Sequence, residues 1–259
     1  MHAGSIGRRA LALAIAAAIA SLGLIATLSA PASAPSQTPA APQGLDHFKC
    51  YAATGSRLKR REVALSDDFG RHRPTVVRLR TICNAVSMDG GRILNPRAHL
   101  ACYELRQLIV TNSDPQGVRV TNNFGSTVLS PGADEILCVP SLQRKGTRAP
   151  ADTLDPQRLL DHFDCHVGSG VDTASVVKLK DQFENTRARV GSPAYICNPA
   201  ALDHGPVRRP KAHLICYSIV EAEGFEPVKV RLRNQFGVPR AVARKPSMLC
   251  LPSRTELIR

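Results

Sequence analysis

The sequence predicts an all-β protein made of two tandem, disulfide-stapled domains, and three observations carry that expectation. Cysteines recur at a fixed period: Cys50, Cys83, Cys102 and Cys138 are echoed by Cys165, Cys197, Cys216 and Cys250. Four fragments of one form, "HFKCY", "HLACY", "HFDCH" and "HLICY", open four similar quarters. Apolar and polar residues alternate with period two before a Phe-containing turn in each quarter, as Val118 and Val120 do before Phe124. That period marks half-buried strands.

The first 34 residues stand apart from the fold. Arg8 and Arg9 form a basic start, the run from Ala10 to Leu28 is apolar, and Ala32-Ser33-Ala34 is a small-x-small cleavage pattern. Residues 1–34 therefore read as a secretory signal, and no transmembrane segment remains after its cleavage. Residues 35–44, "PSQTPAAPQG", have nothing to bury and read as a linker. The cysteine period then places one repeat domain at 45–142 and a second at 161–254, with a polar linker at 143–160.

Each domain is itself doubled, giving about three strands per quarter and six per domain in a small antiparallel sandwich or barrel. "HLACYELRQLIV" alone passes for a helix, but its counterpart "HLICYSIVEA" does not, so both are strands. The turns read "DDFG", "NNFG", "DQFE" and "NQFG". Asp and Asn cap such turns, and Gly70, Gly125 and Gly237 supply a left-handed φ. Glu184 is the exception, with Asn185 beside it placed to take that conformation. From each Phe to the next cysteine the spacing is constant (69 to 83, 124 to 138, 183 to 197, 236 to 250), so the strand after the turn has a fixed register. Odd quarters end "CNA" and "CNP", even ones "CVPS" and "CLPS", so the repeating unit is the pair.

An exported chain with an even number of cysteines per domain points to disulfides. Aromatic residues make up 4% of the chain and Trp is absent, so a small domain needs the staples. By the chain-entropy account, closing a loop of this size contributes about 3 to 4 kcal/mol. The preferred pairing lies inside each quarter: Cys50 with Cys83, Cys102 with Cys138, Cys165 with Cys197, Cys216 with Cys250. Pairing Cys83 with Cys102 and Cys50 with Cys138 also respects the repeat. A zinc site is disfavoured, because residues three apart on a strand face opposite ways and no Cys-x-x-Cys occurs. The repeated His47, His99, His162 and His213 read as structural groups, hydrogen-bonded to a turn carbonyl or to the Asp or Asn of the Phe-Gly turn.

No catalytic residue, metal ligand or cofactor emerges. Asp68-Phe69-Gly70 matches the kinase magnesium motif in letters, but no glycine-rich loop or catalytic loop accompanies it, so it is a turn. Net charge is +13, and the basic residues cluster. Lys178, Lys180, Lys229, Arg231 and Arg233 alternate with apolar residues and present a basic strand face to an anionic surface polymer or lipid head group. No aromatic platform interleaves with them, which excludes sequence-specific nucleic-acid readout.

The combined motif set, from "HFKCY", "DDFG" and "HLACY" to "HLICY", "NQFG" and "LCLPS", resembles a family of uncharacterised exported bacterial cysteine-containing repeat proteins, a domain of unknown function. The resemblance covers about 45–254 and implies export and tandem architecture; His166 for Tyr, Glu184 for Gly and Ala85 for Pro depart from it. The expected function is a secreted, periplasmic or cell-envelope binding or structural module, not an enzyme. The competing expectation is a metal-binding protein or hydrolase using the repeated His and Cys.

Overall fold

The computed structural model describes residues 44–107, 116–222, 224–237 and 239–258; residues 1–34, read above as a signal, and residues 35–43 of the expected linker lie outside the described residues. The first quarter holds β1 (His47–Gly55), β2 (Arg61–Glu62), β3 (Leu65–Asp67), β4 (Gly70–His72) and β5 (Thr75–Met88). The second holds β6 (His99–Arg106), β7 (Gly117–Asn122) and β8 (Gly125–Lys145). The third holds β9 (His162–Ser169), β10 (Ser175–Lys180) and β11 (Asn185–Leu202), and the fourth β12 (His213–Ala222), β13 (Val228–Arg233) and β14 (Arg240–Ile258). The protein is all-β: a single 3-10 turn at Pro156–Arg158, capped by Asp155, interrupts the strands among the described residues.

Eight strands close on one another in the order β1, β5, β6, β8, β9, β11, β12, β14 and back to β1, every neighbour antiparallel. The result is one barrel with two strands from each quarter. Its inner face carries Phe48, Leu100, Ile136, Phe163, Leu214 and Met248 with all eight cysteines. The disulfides are Cys50–Cys83, Cys102–Cys138, Cys165–Cys197 and Cys216–Cys250, each joining residues directly opposite in register. Between bridges the sulfurs also touch: Cys50 and Cys250 at 3.7 Å, Cys83 and Cys102 at 3.9 Å, Cys138 and Cys165 at 3.8 Å, Cys197 and Cys216 at 3.8 Å. Eight sulfurs thus form a closed ring that fills the barrel and leaves a void of only about 10 Å³. The alternative Cys83–Cys102 pairing corresponds to a contact in this ring, not to a bond.

The strands of 45–142 and 161–254 interlock, and the described residues between 44 and 258 fall in one compact unit. The physical reason is a diagonal exchange of hairpins. Each turn hairpin folds over the outside of the barrel and pairs with the long strand two quarters away. β3 pairs β11, β7 pairs β14, β10 pairs β5 and β13 pairs β8. The strand β8 also continues directly into pairing with β9 across the sequence boundary. Either copy alone would expose two seams of the barrel and lose the partners of its hairpins.

Burial follows the same plan. Two outer cores lie between hairpins and barrel, one around Tyr51, Ile82, Tyr103, Val230 and Leu232, the other around Val118, Val120, Leu179, Ile215 and Tyr217. The constant spacing from Phe to cysteine has its cause here. One long strand must begin in a hairpin on the outer surface and still deliver its cysteine to the inner ring.

The turns behave as expected in three quarters. Gly70, Gly125 and Gly237 have φ of 143°, 102° and 106°. In the third quarter neither Glu184 nor Asn185 has a positive φ, so the expectation that Asn185 takes the left-handed position is corrected. Asp181 Oδ1 accepts from the amides of Phe183 and Glu184, and Asn185 enters the ladder opposite Lys180. The turn closes without the special conformation, and Glu184 has another task.

Candidate functional site

The side chains that tie each hairpin to the barrel define the polar interior. The first turn residue caps its own turn and also reaches the motif Tyr or His two quarters away. Asn122 Nδ2 donates to Tyr217 Oη at 3.0 Å and Ser253 Oγ at 2.9 Å; Asn234 Nδ2 donates to Tyr103 Oη at 3.0 Å and Ser141 Oγ at 2.9 Å. Asp181 Oδ2 accepts from Tyr51 Oη at 3.0 Å and Asn84 Nδ2 at 2.9 Å. Asp67 Oδ2 accepts from Asn198 Nδ2 at 2.9 Å and lies 2.7 Å from His166 Nε2. An Asp turn therefore meets Asn, and an Asn turn meets Ser. Matching of donor to acceptor explains why odd quarters end in Cys-Asn and even ones in Cys-x-Pro-Ser.

The repeated histidines meet the second turn residue of the next quarter. His47 Nε2 is 3.0 Å from Asn123 Oδ1, His162 Nε2 is 2.7 Å from Gln235 Oε1, and His213 Nε2 is 3.6 Å from Asp68 Oδ2. His99 is buried with no hydrogen bond to its Nδ1, and burial pushes its imidazole down to about 4. With every cysteine among the described residues in a disulfide, the reading that repeated His and Cys together hold a metal has no thiolate to use.

Charge concentrates instead on the diagonal between the first and third quarters. Lys49 is fully buried, and its Nζ lies 2.6 Å from Glu184 Oε1. Tyr51 Oη also donates to Glu184, and burial, with Asp181 and Glu184 alongside, raises its phenol far above the ordinary range. At the position equivalent to Lys49, the third quarter carries Asp164, also fully buried. Asp164 Oδ2 lies 2.9 Å from His72 Nε2 and 3.8 Å from His166 Nε2. Burial holds the Asp164 carboxyl above its usual range. Burial acts on Asp67 in the same sense, but the hydrogen bond and charge of His166, with Asn198 and the Phe69 amide, outweigh it and leave Asp67 below that range.

The basic residues fall into two groups. On β13, Arg231 stands directly between Arg240 of β14 and Arg144 of β8, so three arginines line up across three strands. Lys229 and Arg233 flank Arg231 on the same face. None of these five forms an ion pair among the described residues, and Arg231 Nε is buried without a hydrogen bond. Arg240 also neighbours the loop after β1, since its amide meets Ser56 Oγ. That loop lines a cleft of about 530 Å³ with Arg57, Lys59, Arg60 and Arg61, floored by Leu79, Tyr103 and Phe236. Lys178 and Lys180 are exposed on β10, a different hairpin, where Lys178 faces Arg187. The structure thus brings Lys229, Arg231 and Arg233 together, adds Arg144, Arg240 and the 57–61 loop, and leaves Lys178 and Lys180 apart.

Arg144 and Arg240 are missed by periodicity, because only the pairing of β13 with both β8 and β14 brings them together. The buried cluster had a visible signal: Lys49 and Asp164 occupy one repeat position with opposite charge, and His166 stands where the other quarters have Tyr. Comparison with family models, curated proteins and solved structures finds no match to this chain.

Proposed function

We propose that this chain is an exported, non-enzymatic binding module of the cell envelope or extracellular space that holds an anionic polymer on the β13 face. The observation that supports this most directly is the row Arg240–Arg231–Arg144 without an acidic partner among the described residues. Like charges directly opposite on a sheet are destabilising, and a bound polyanion would relieve that repulsion. The row spans two strand spacings, about 10 Å, which suits a chain of repeated phosphate, sulfate or carboxylate groups better than a single ion. Export is favoured by the signal-like residues 1–34 and by four disulfides, which persist in oxidising compartments. No helix among the described residues is long and apolar enough to cross a membrane.

The test is binding of the oxidised protein to immobilised heparin and polyphosphate, with neutral dextran as control and salt varied. Arg144→Ser/Arg231→Ser/Arg240→Ser should weaken binding by about 10-fold, two exposed and one half-buried charge contact of roughly 0.5 kcal/mol each, and should flatten the salt dependence. Lys178→Ser/Lys180→Ser should change it less than about 2-fold. Equal loss in both variants would show attraction by net charge alone and overturn a defined site. Binding to anionic vesicles without binding to either polymer would transfer the site to lipid head groups.

A further inference from the structure

We propose that Asp67, Asp164 and His166, with His72 beside Asp164, form a binding site for one divalent transition-metal ion, with Zn²⁺ the best match. The ligand atoms come from Asp67 at the end of β3 and from Asp164 and His166 on β9, while His72 at the end of β4 stands against Asp164. One oxygen of Asp67, one of Asp164 and one nitrogen of His166 lie within 4.8 Å of one another. The separations are 2.7 Å from Asp67 Oδ2 to His166 Nε2, 3.8 Å from His166 Nε2 to Asp164 Oδ2, and 2.9 Å from His72 Nε2 to Asp164 Oδ2. Ligands at about 2.0 Å from a tetrahedral zinc stand roughly 3.3 Å apart. The two spacings to His166 bracket that value, and His72, which stands against Asp164 but outside this group of three, would have to swing inward to serve as a fourth ligand.

A second, independent observation points the same way. Asp164 is fully buried, and its Oδ1 makes no hydrogen bond among the described residues. Burying two carboxylates requires compensating positive charge. In the first quarter the side chain of Lys49 supplies it at the equivalent position, 2.6 Å from Glu184. In the third quarter no Lys or Arg ion pair reaches Asp164 or Asp67 among the described residues, and two imidazoles stand in that place. An imidazole nitrogen beside two carboxylate oxygens suits Zn²⁺, and after it Co²⁺ or Mn²⁺, whereas Ca²⁺ and Mg²⁺ favour all-oxygen sites.

The surroundings hold the ligands in orientation. Asp67 Oδ1 accepts from the amides of Phe69 and Gly70, while its Oδ2 accepts from Asn198, an outer shell that aims the carboxylate. His72 also lines a cleft of about 490 Å³ with Ala64, Leu65, Ser66, Arg71 and His204, which provides a route in from solvent. A metal here would clamp the β3–β4 hairpin of one sequence copy to barrel strand β9 of the other. That is a fifth cross-link beside the four disulfides.

The experiment uses the full oxidised chain, stripped with chelator and titrated with Zn²⁺ and separately with Co²⁺. The expected results are one equivalent bound by elemental analysis, a Co²⁺ visible absorption of a nitrogen and oxygen site, and a melting temperature that rises with Zn²⁺ and falls with chelator. His166→Tyr, which installs the residue of the other three quarters, should fold and weaken Zn²⁺ binding at least 10-fold; His72→Gln serves as a second variant. Less than a tenth of an equivalent bound by the wild type at micromolar Zn²⁺, or binding unchanged in both variants, would overturn the proposal. A melting temperature that responds to pH but not to metal would also overturn it, since protons alone would then supply the countercharge.

Discussion

The two diagonals of the barrel share one backbone plan and solve its polar interior in opposite ways. Between the second and fourth quarters, Asn122 and Asn234 meet Tyr and Ser hydroxyls, Ala101 and Ile215 occupy the buried second position after the motif histidine, and no Asp, Glu, Lys or Arg is buried among the described residues. Between the first and third quarters, the same places hold Lys49, Asp164, Asp67, Asp181 and Glu184, with His166 and His72. Neutral hydrogen bonds contribute about 1 kcal/mol each and tolerate the loss of a partner modestly. Buried ions add little net stability when paired and cost several kcal/mol when one partner is removed. The even diagonal is therefore scaffold, while the odd diagonal keeps buried charge that scaffold alone does not require. That difference is what directs attention to the odd diagonal as a place for chemistry.

The largest expected effect breaks the comparison at its root, the exchange of hairpins between copies. Residues 45–142 expressed alone under oxidising conditions should show no cooperative melting, because β3 and β7 lose β11 and β14, and β1 and β8 become open edges. Cleavage of the full oxidised chain between 147 and 154 should instead leave two fragments that co-elute under native conditions. A stable, monomeric 45–142 would show that the shared barrel is not obligatory.

Next comes Glu184. A turn glycine is the rule in the other quarters, so turn chemistry alone predicts that Glu184→Gly is neutral or stabilising. The structure predicts a loss of about 3 kcal/mol, since the fully buried Lys49 ammonium loses its partner at 2.6 Å. The double variant Lys49→Ala/Glu184→Gly, which copies the even diagonal, should recover most of that loss in urea unfolding. Failure of the double variant to recover would mean that Glu184 acts on the turn and not on Lys49.

Acid sensitivity sharpens the contrast within the even diagonal. His99 has a folded value near 4 because burial disfavours its charged form, against about 6.5 when unfolded. Above pH 6.5 both states are neutral there and His99 adds no pH dependence. As pH falls from 6.5 to 4 the unfolded state takes up a proton that the folded state refuses, and stability drops by up to about 3 kcal/mol before levelling off. Urea unfolding across that range should therefore slope for the wild type and flatten for His99→Gln. An unchanged slope in His99→Gln would assign the acid limb to other groups.

The smallest effect concerns the turns that do use glycine. Gly125 and Gly237 have φ of 102° and 106° with open space where a Cβ would point, so only backbone strain opposes substitution. Valine at either position should cost about 1 to 2 kcal/mol. A wild-type melting temperature combined with lost polyanion binding would make the turn a contact surface.

Local signals in the chain settled much of this protein. Period-two alternation around Val118, Val177 and Val230 marked strands, because side-chain direction on a strand depends only on neighbouring residues. The constant spacing from Phe to cysteine marked a rigid segment, and the sequence favoured bridges inside each quarter while leaving the Cys83–Cys102 and Cys50–Cys138 set open, a choice that the register of the strands decides. Gly125 and Gly237 identified their own turns because a positive φ is a local demand. What the chain could not declare was which quarter each hairpin covers. Sequence separation argued for two self-contained copies, whereas strand edges are satisfied by any strand of suitable register, and closure of the eight barrel strands on one another satisfied theirs together. The row Arg240–Arg231–Arg144, the pairing of Lys49 with Glu184, and the convergence of Asp67, His72, Asp164 and His166 all depend on that closure. They join residues roughly 90 to 135 positions apart in three of these contacts, and only the tertiary arrangement makes such distant groups neighbours.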